Sequence, residues 1–136
     1  MVKQKRILFV CVENAGRSQI AEGFFRKYAR KFEVTSAGTE PNSELNPIVV
    51  DVMAEVEIDI TNQKPKLLSN EMIQDSFRTV NMGCMDRKSC PSLFVKDIFD
   101  WNITDPKGKT IEEIRRIRDQ IKFEVIALIK KLEDDI

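Results

Sequence analysis

Three cysteines, Cys11, Cys84 and Cys90, and the lack of any histidine set the chemistry open to this sequence. Without an imidazole there is no Ser-His-Asp triad, no Cys-His dyad and no histidine metal site. A general acid must then come from Asp, Glu, Lys, Tyr or Cys. An odd number of thiols argues against a static disulfide framework and for thiols that react, bind metal or pack in a core. The richest run is Cys11-Val12-Glu13-Asn14-Ala15-Gly16-Arg17-Ser18. Its Cys-to-Arg spacing lets the backbone curl around one tetrahedral oxyanion. The amides of Val12, Glu13, Asn14, Ala15, Gly16 and Arg17 would face inward as an anion nest. Arg17 can grip two oxygens in bidentate fashion. Cys11 would sit at the base of the loop, facing the central atom, where the amides, a following helix and Ser18 favour a thiolate nucleophile. Gly16 permits a close backbone approach or a positive φ. No Gly-Lys-Ser/Thr is present, so this is not a nucleotide P-loop. The plainer alternative is a buried strand-end cysteine and an unrelated surface arginine. The order strand, loop, helix weighs against it.

Two further groups carry possible chemistry. Asp105-Pro106-Lys107-Gly108 places a carboxylic acid ahead of the last helix, where it could protonate a leaving oxygen; the same residues also suit a simple turn. Cys84-Met-Asp-Arg-Lys-Ser-Cys90 puts two thiols in one polar loop. They could pair if the loop folds back, with Arg87 and Lys88 favouring thiolates, or they could be unconnected. A structural zinc site wants four Cys or His ligands, and the chain has three.

These groups need elements to hold them. Arg6 to Val12 is a continuous apolar run, suited to a strand buried on both faces of a parallel sheet. Ser18 opens a helix to about Arg30, with Ile20, Ala21, Phe24, Phe25 and Tyr28 on its apolar face. Phe32 to Ala37 predicts a second strand, closed by Gly38. After a loop from Thr39, Pro47 suits the first turn of a helix to about Glu55. Ile58 to Lys66 reads as irregular, Ser69 to Asp75 as a short helix, and Phe77 to Met82 as a third strand. Gly83 to Pro91 is the polar cysteine loop, Leu93 to Trp101 a candidate fourth strand, and Asn102 to Gly108 a turn-rich loop. The last helix runs from about Thr110 to Leu132. Its stripe is Ile111, Ile114, Ile117, Ile121, Val125, Leu128 and Leu132, and Thr110 with Glu113 forms a capping box. Glu133, Asp134 and Asp135 oppose the helix dipole, so that end is expected to fray. The charges from Glu112 to Asp119 read as a solvated face, and Trp101 as packing. Alternating strands and helices predict one α/β domain over residues 1–136, with a four-stranded parallel sheet flanked by helices.

Composition narrows the partners. The 136 residues carry 22 Lys+Arg and 22 Asp+Glu, so no general attraction to nucleic acid or an anionic membrane is expected. No apolar run approaches the ~18 residues of a membrane span. The run after the basic N-terminus is too short for a signal-peptide core, so a cytoplasmic protein is expected.

The Cys-x5-Arg-Ser loop near the N-terminus resembles that of the low-molecular-weight protein tyrosine phosphatase fold. The longer string from Cys11 to Glu22 is more similar to the thioredoxin-coupled arsenate reductases built on that fold. The likeness continues through Ser36-Ala-Gly38, Met82-Gly-Cys84, Asp100-Trp101, Asp105-Pro106 and Glu112 to Asp119. It implies that Asp105 is the general acid and that arsenate, or phosphate as its analogue, occupies the loop. It also implies a relay. Cys11 attacks arsenic, Cys84 attacks Cys11 and expels arsenite, and Cys90 then forms a disulfide with Cys84 that thioredoxin or a similar dithiol reduces. In phosphatases of this fold the Asp-Pro pair is usually followed by Tyr. Here Lys107 follows and the sole tyrosine is Tyr28, which favours a small inorganic oxyanion over phosphotyrosine. The competing readings are a phosphatase working through a Cys11 phosphoenzyme and a non-catalytic oxyanion or redox sensor. Some members bind potassium through Asn, Glu, Ser and Asp positions. Asn14, Glu22 and Ser36 match three, and Lys66 falls at the fourth. No metal or cofactor is assigned.

Overall fold

The computed structural model describes residues 5–83 and 98–134. Cys84, Cys90 and the first part of the expected fourth strand lie outside the described residues. The elements run β1 (Lys5–Cys11), α1 (Arg17–Tyr28), β2 (Phe32–Gly38), α2 (Pro47–Glu55), α3 (Asn70–Gln74), β3 (Arg78–Asn81), β4 (Ile98–Asp100) and α4 (Ile111–Asp134). The strands form one parallel sheet in the order β2-β1-β3-β4.

β1 is central because it is apolar on both faces. Ile7, Phe9 and Cys11 face a core built with α1, α2 and α4, including Phe24, Phe25, Val52, Met53, Ile114 and Ile121. Leu8 and Val10 face the other way, with Ala37, against Leu68, Met72, Ile73 and Ile98. The chain therefore leaves β1 toward β2, then crosses back past β1 to β3. That reversal opens a crevice beyond the carboxyl end of β1, the usual ligand position in open parallel sheets. Cys11 is the last residue of β1 and stands at this crevice.

Local signals set the helix starts. Asn46 Oδ1 accepts the Ile48 amide at 3.0 Å, and Pro47 occupies the first turn of α2. Ser69 Oγ accepts the Met72 amide at 3.2 Å ahead of α3. Thr110 Oγ1 accepts the Glu113 amide at 3.2 Å, one half of the expected capping box, and donates to the Glu113 carboxylate at 3.1 Å, so here the carboxylate meets the threonine hydroxyl. Trp101 packs with its ring 5.7 Å from that of Phe9.

Three expectations change. Tyr28 is 37% exposed and stacks on Phe24 at the end of α1, outside the buried stripe. α4 is helical through Glu133 and Asp134, beyond the expected stop at Leu132. The charged row of α4 is not merely solvated. Arg118 is buried and donates to the Val52 carbonyl and the Glu55 carboxylate, each at 2.9 Å. Arg115 grips the same carboxylate at 2.7 and 3.0 Å. Two arginines spaced by three residues meet one acid at the end of α2, so they lock α2 against α4.

The Arg115 hydrogen bonds, ahead of an opposing desolvation effect, hold Glu55 below the ordinary carboxyl value of 4.5. A depressed folded-state value contributes stability that is fully present above 4.5 and lost as pH falls through the lowered value. Glu55→Gln therefore lowers the melting temperature at neutral pH, and the gap to wild type closes on acidification. Melting curves across a pH series measure this; a gap independent of pH would contradict it.

Candidate active site

The loop between β1 and α1 is shaped by its carbonyls. Those of Cys11, Val12, Glu13 and Ala15 accept the amides of Thr39, Glu40, Asn42 and Asn46 at 2.8 to 3.3 Å. The Asn14 carbonyl accepts Gln19 Nε2 at 2.9 Å, and the Gly16 carbonyl accepts the Ile20 amide at 2.9 Å. Every carbonyl from Cys11 to Gly16 is thus held from outside the loop. In a peptide unit the N–H opposes the C=O, so the following amides turn toward the loop's interior. The Asn14 amide points at Cys11 Sγ from 3.3 Å.

Asn14 is the brace. It holds φ at 51°, a left-handed conformation that asparagine tolerates better than most residues. Its Nδ2 donates to Ser18 Oγ at 2.6 Å and to Ser36 Oγ at 3.0 Å, and its Oδ1 accepts the Lys66 amide at 2.9 Å. Ser18 Oγ lies 2.8 Å from Cys11 Sγ. When the sulfur is a thiolate it has no hydrogen, so Ser18 is the donor in that contact. Ser36 donates to Glu22 Oε1 at 2.6 Å, and Arg26 meets Glu22 Oε2 at 2.9 Å. A continuous polar chain therefore runs from the exposed Arg26 through Glu22, Ser36, Asn14 and Ser18 to Cys11.

Three of the positions matched to potassium ligands meet in this chain, and each oxygen is met by one donor: Asn14 Oδ1 by Lys66, Glu22 Oε1 by Ser36 and Glu22 Oε2 by Arg26. The fourth position brings the Lys66 amide, a donor, where a carboxylate would be needed. Lys66 enters this region through its backbone, while its ammonium reaches the Lys64 carbonyl at 3.3 Å. Among the described residues, no group of three His, Cys, Asp or Glu is placed to hold a metal.

Arg17 lies across the crevice. Its Nη1 donates to the Ile103 carbonyl at 3.1 Å, and its Nη2 is 3.7 Å from Asp105 Oδ2. The Asp105 carboxylate is 55% exposed, and its Oδ1 accepts the Lys107 amide at 3.0 Å. Cys11, Arg17 and Asp105 line one cavity of about 280 Å³ with Glu13 and Lys107 at its wall. Gly16 has φ −133°, so of its two expected uses the close approach applies: a Cβ there would lie 2.7 Å from the Pro106 ring. Cys84 and Cys90 are outside the described residues, so the structure brings together Cys11, Ser18, Arg17 and Asp105 without speaking to that pair.

Some contributors escape sequence reading. Gln19 holds the Asn14 carbonyl and is itself held by Gln63 Nε2 at 2.7 Å. The signal available was a polar Gln19 and Glu22, three apart, on either side of the apolar Ile20 and Ala21. Glu13 was expected only as a loop amide, yet its carboxylate meets Lys107 Nζ at 3.0 Å and ties the loop to the Asp105 turn. This pairing raises the Lys107 ammonium above its ordinary value of 10.5 through the Glu13 hydrogen bond and charge.

Asn14→Ala removes the donor to Ser18 and Ser36, leaves the Lys66 amide without its acceptor and puts alanine at a left-handed φ. The expected loss is about 3 kcal/mol of stability, read by denaturant unfolding; a loss under about 1 kcal/mol would deny Asn14 its bracing role.

The sequence profile of low molecular weight phosphotyrosine protein phosphatases matches residues 6–136. An arsenate reductase from Staphylococcus aureus is 38% identical over 125 residues, covering 90% of this chain and 94% of that protein. A solved arsenate reductase in a phosphate-binding state aligns with a TM-score of 0.85 at 33% identity, covering 94% of this chain and 98% of that one. A thioredoxin-dependent arsenate reductase from Corynebacterium glutamicum aligns with a TM-score of 0.82 at 34% identity, covering 98% of this chain; this chain spans 64% of that one.

Proposed function

The chain belongs to the low molecular weight phosphotyrosine protein phosphatase family, and we propose that within it the protein is an arsenate reductase driven by a three-thiol relay. The observation that carries this reading is the single crevice holding Cys11, Arg17 and Asp105 beyond β1. Its inward amides and guanidinium suit a tetrahedral oxyanion, and Cys11 stands at its base. The phosphate-binding state of a relative supports such an occupant.

In the proposed cycle Cys11 thiolate attacks arsenic, and Asp105 protonates the departing oxygen, which leaves as water. Ser18 and the Asn14 amide hold the sulfur in place before attack. Cys84 thiolate then attacks Cys11 Sγ. The electron pair of the sulfur–arsenic bond stays on arsenic, which leaves as arsenite, and a Cys11–Cys84 disulfide remains. Arsenic gains two electrons and the two thiols lose two. Cys90 next attacks Cys84, returns Cys11 as a thiolate and leaves a Cys84–Cys90 disulfide. Thioredoxin, or a dithiol like it, reduces that bond; the thioredoxin-dependent relative supports this choice.

The second reading is phosphate-ester hydrolysis through a Cys11 phosphoenzyme, because Cys11, Arg17 and Asp105 suffice for it. Lys107 favours the first. It stands where an aromatic residue would hold a phenyl ring, and it is engaged with Glu13 at the cavity wall.

The deciding experiment mixes reduced protein with arsenate and no other thiol. Stoichiometric arsenite and a Cys84–Cys90 disulfide, mapped by peptide mass, are expected. No arsenite with all thiols still reduced, alongside ester hydrolysis, would favour the phosphatase. Cys84→Ser is expected to stop arsenate turnover while sparing ester hydrolysis. Asp105→Asn is expected to slow both by roughly 10²–10⁴-fold in steady-state rates, whereas an unchanged rate would remove Asp105 as the acid.

A further inference from the structure

We propose that Gly83 is a positioning residue for Arg17: the absence of a side chain at 83 makes the space in which the oxyanion-gripping guanidinium lies. This rests on the oxyanion reading above. Gly83 follows β3 with φ +146°, a conformation that L side chains rarely adopt. A Cβ there would lie 2.5 Å from Arg17 Cζ and 2.6 Å from Nη2, and closer still to Nη1. Real Cβ atoms do not approach so near, so any residue but glycine displaces the guanidinium.

The displacement has few directions to take. Arg17 Nη1 is held by the Ile103 carbonyl, Nη2 faces Asp105, and the side chain is only 10% exposed. The backbone at 83 is fixed as well. Its amide donates to Asn81 Oδ1 at 3.2 Å, and Asn81 Nδ2 donates to Asp100 Oδ1 at 3.1 Å on the neighbouring strand. The guanidinium therefore lies between the Gly83 backbone, the Ile103 carbonyl and the Asp105 turn. A bidentate grip depends on the direction of two N–H groups, so a small tilt costs the contact.

The test is a double-mutant cycle read by inorganic phosphate binding, with Gly83→Ala, Arg17→Lys and the pair. Gly83→Ala is expected to weaken phosphate by about tenfold or more, the loss of one charge-assisted hydrogen bond. In the Arg17→Lys background, where the conflicting guanidinium is gone, Gly83→Ala should weaken binding by less than about twofold. The same cycle is read by thermal unfolding. If Gly83→Ala alone is strongly destabilised, the double variant should melt higher than it, because the clash is gone and only the backbone strain at φ +146° remains. Equal phosphate binding by wild type and Gly83→Ala would overturn the proposal. So would an equal penalty in both backgrounds, in binding or in melting, which would leave only backbone strain. Lost arsenate turnover with intact phosphate binding would tie Gly83 to the adjoining Cys84 and also overturn it. Failure of the wild type to bind phosphate would defeat the oxyanion reading itself, and the role of Gly83 with it.

Discussion

The whole site depends on six carbonyls facing outward. Each carbonyl from Cys11 to Gly16 has a donor outside the loop, so the amides have only the interior to face. This is a constraint of peptide geometry before it is one of catalysis. The donors come from the segment after β2 and from the first turns of α1. Their positions follow from the register of β1 on β2, which sets Cys11 opposite Gly38. Shifting that register by one residue would carry the Cys11, Val12, Glu13 and Ala15 carbonyls away from their donors and expose Leu8 and Val10 to the wrong core. Sheet pairing, core packing and the oxyanion nest are therefore one requirement.

Buried polarity concentrates where that requirement is met. Asn14, Ser18, Gln19, Glu22 and Ser36 are all buried, yet each has a named partner. Such a network is costly when half satisfied and rigid when complete. Rigidity suits the nucleophile role proposed for Cys11 at the base of the loop. The Asp105 side is built differently. Its carboxylate is largely exposed, held by a turn amide and steadied by the Glu13–Lys107 pair across the cavity wall. Isolated surface ion pairs add little to stability, so that pair matters for where the Asp105 turn stands more than for how firmly the fold holds.

Much of this was legible in the order of residues. The apolar run of β1, the break at Glu13 and the helical period from Ile20 place Cys11 at a strand end and Arg17 at a helix start. Pro47 and Thr110 mark helix starts because their local chemistry acts within one turn. What stayed hidden needed a partner far along the chain. Arg118 looks solvated until Glu55 and Val52 are seen beside it, and Lys66 looks like a missing cation ligand until its backbone reaches Asn14. Gly83 looks like any loop glycine until Arg17 is placed against it. Tyr28 follows the helical period but falls at an end where the core stops.

The strand order carries a consequence for biogenesis. β1 is made first, but its neighbours are β2 and β3, and both pairings are parallel. Neither can close as a hairpin, so each needs an intervening crossover. The donors that shape the nucleophile's loop extend to Lys66, and the arginine beside it reaches Ile103. Such distant contacts are formed late and slowly. The emerging chain thus carries a thiol at position 11 without its later surroundings. The reactivity proposed for it would arrive only with the completed fold.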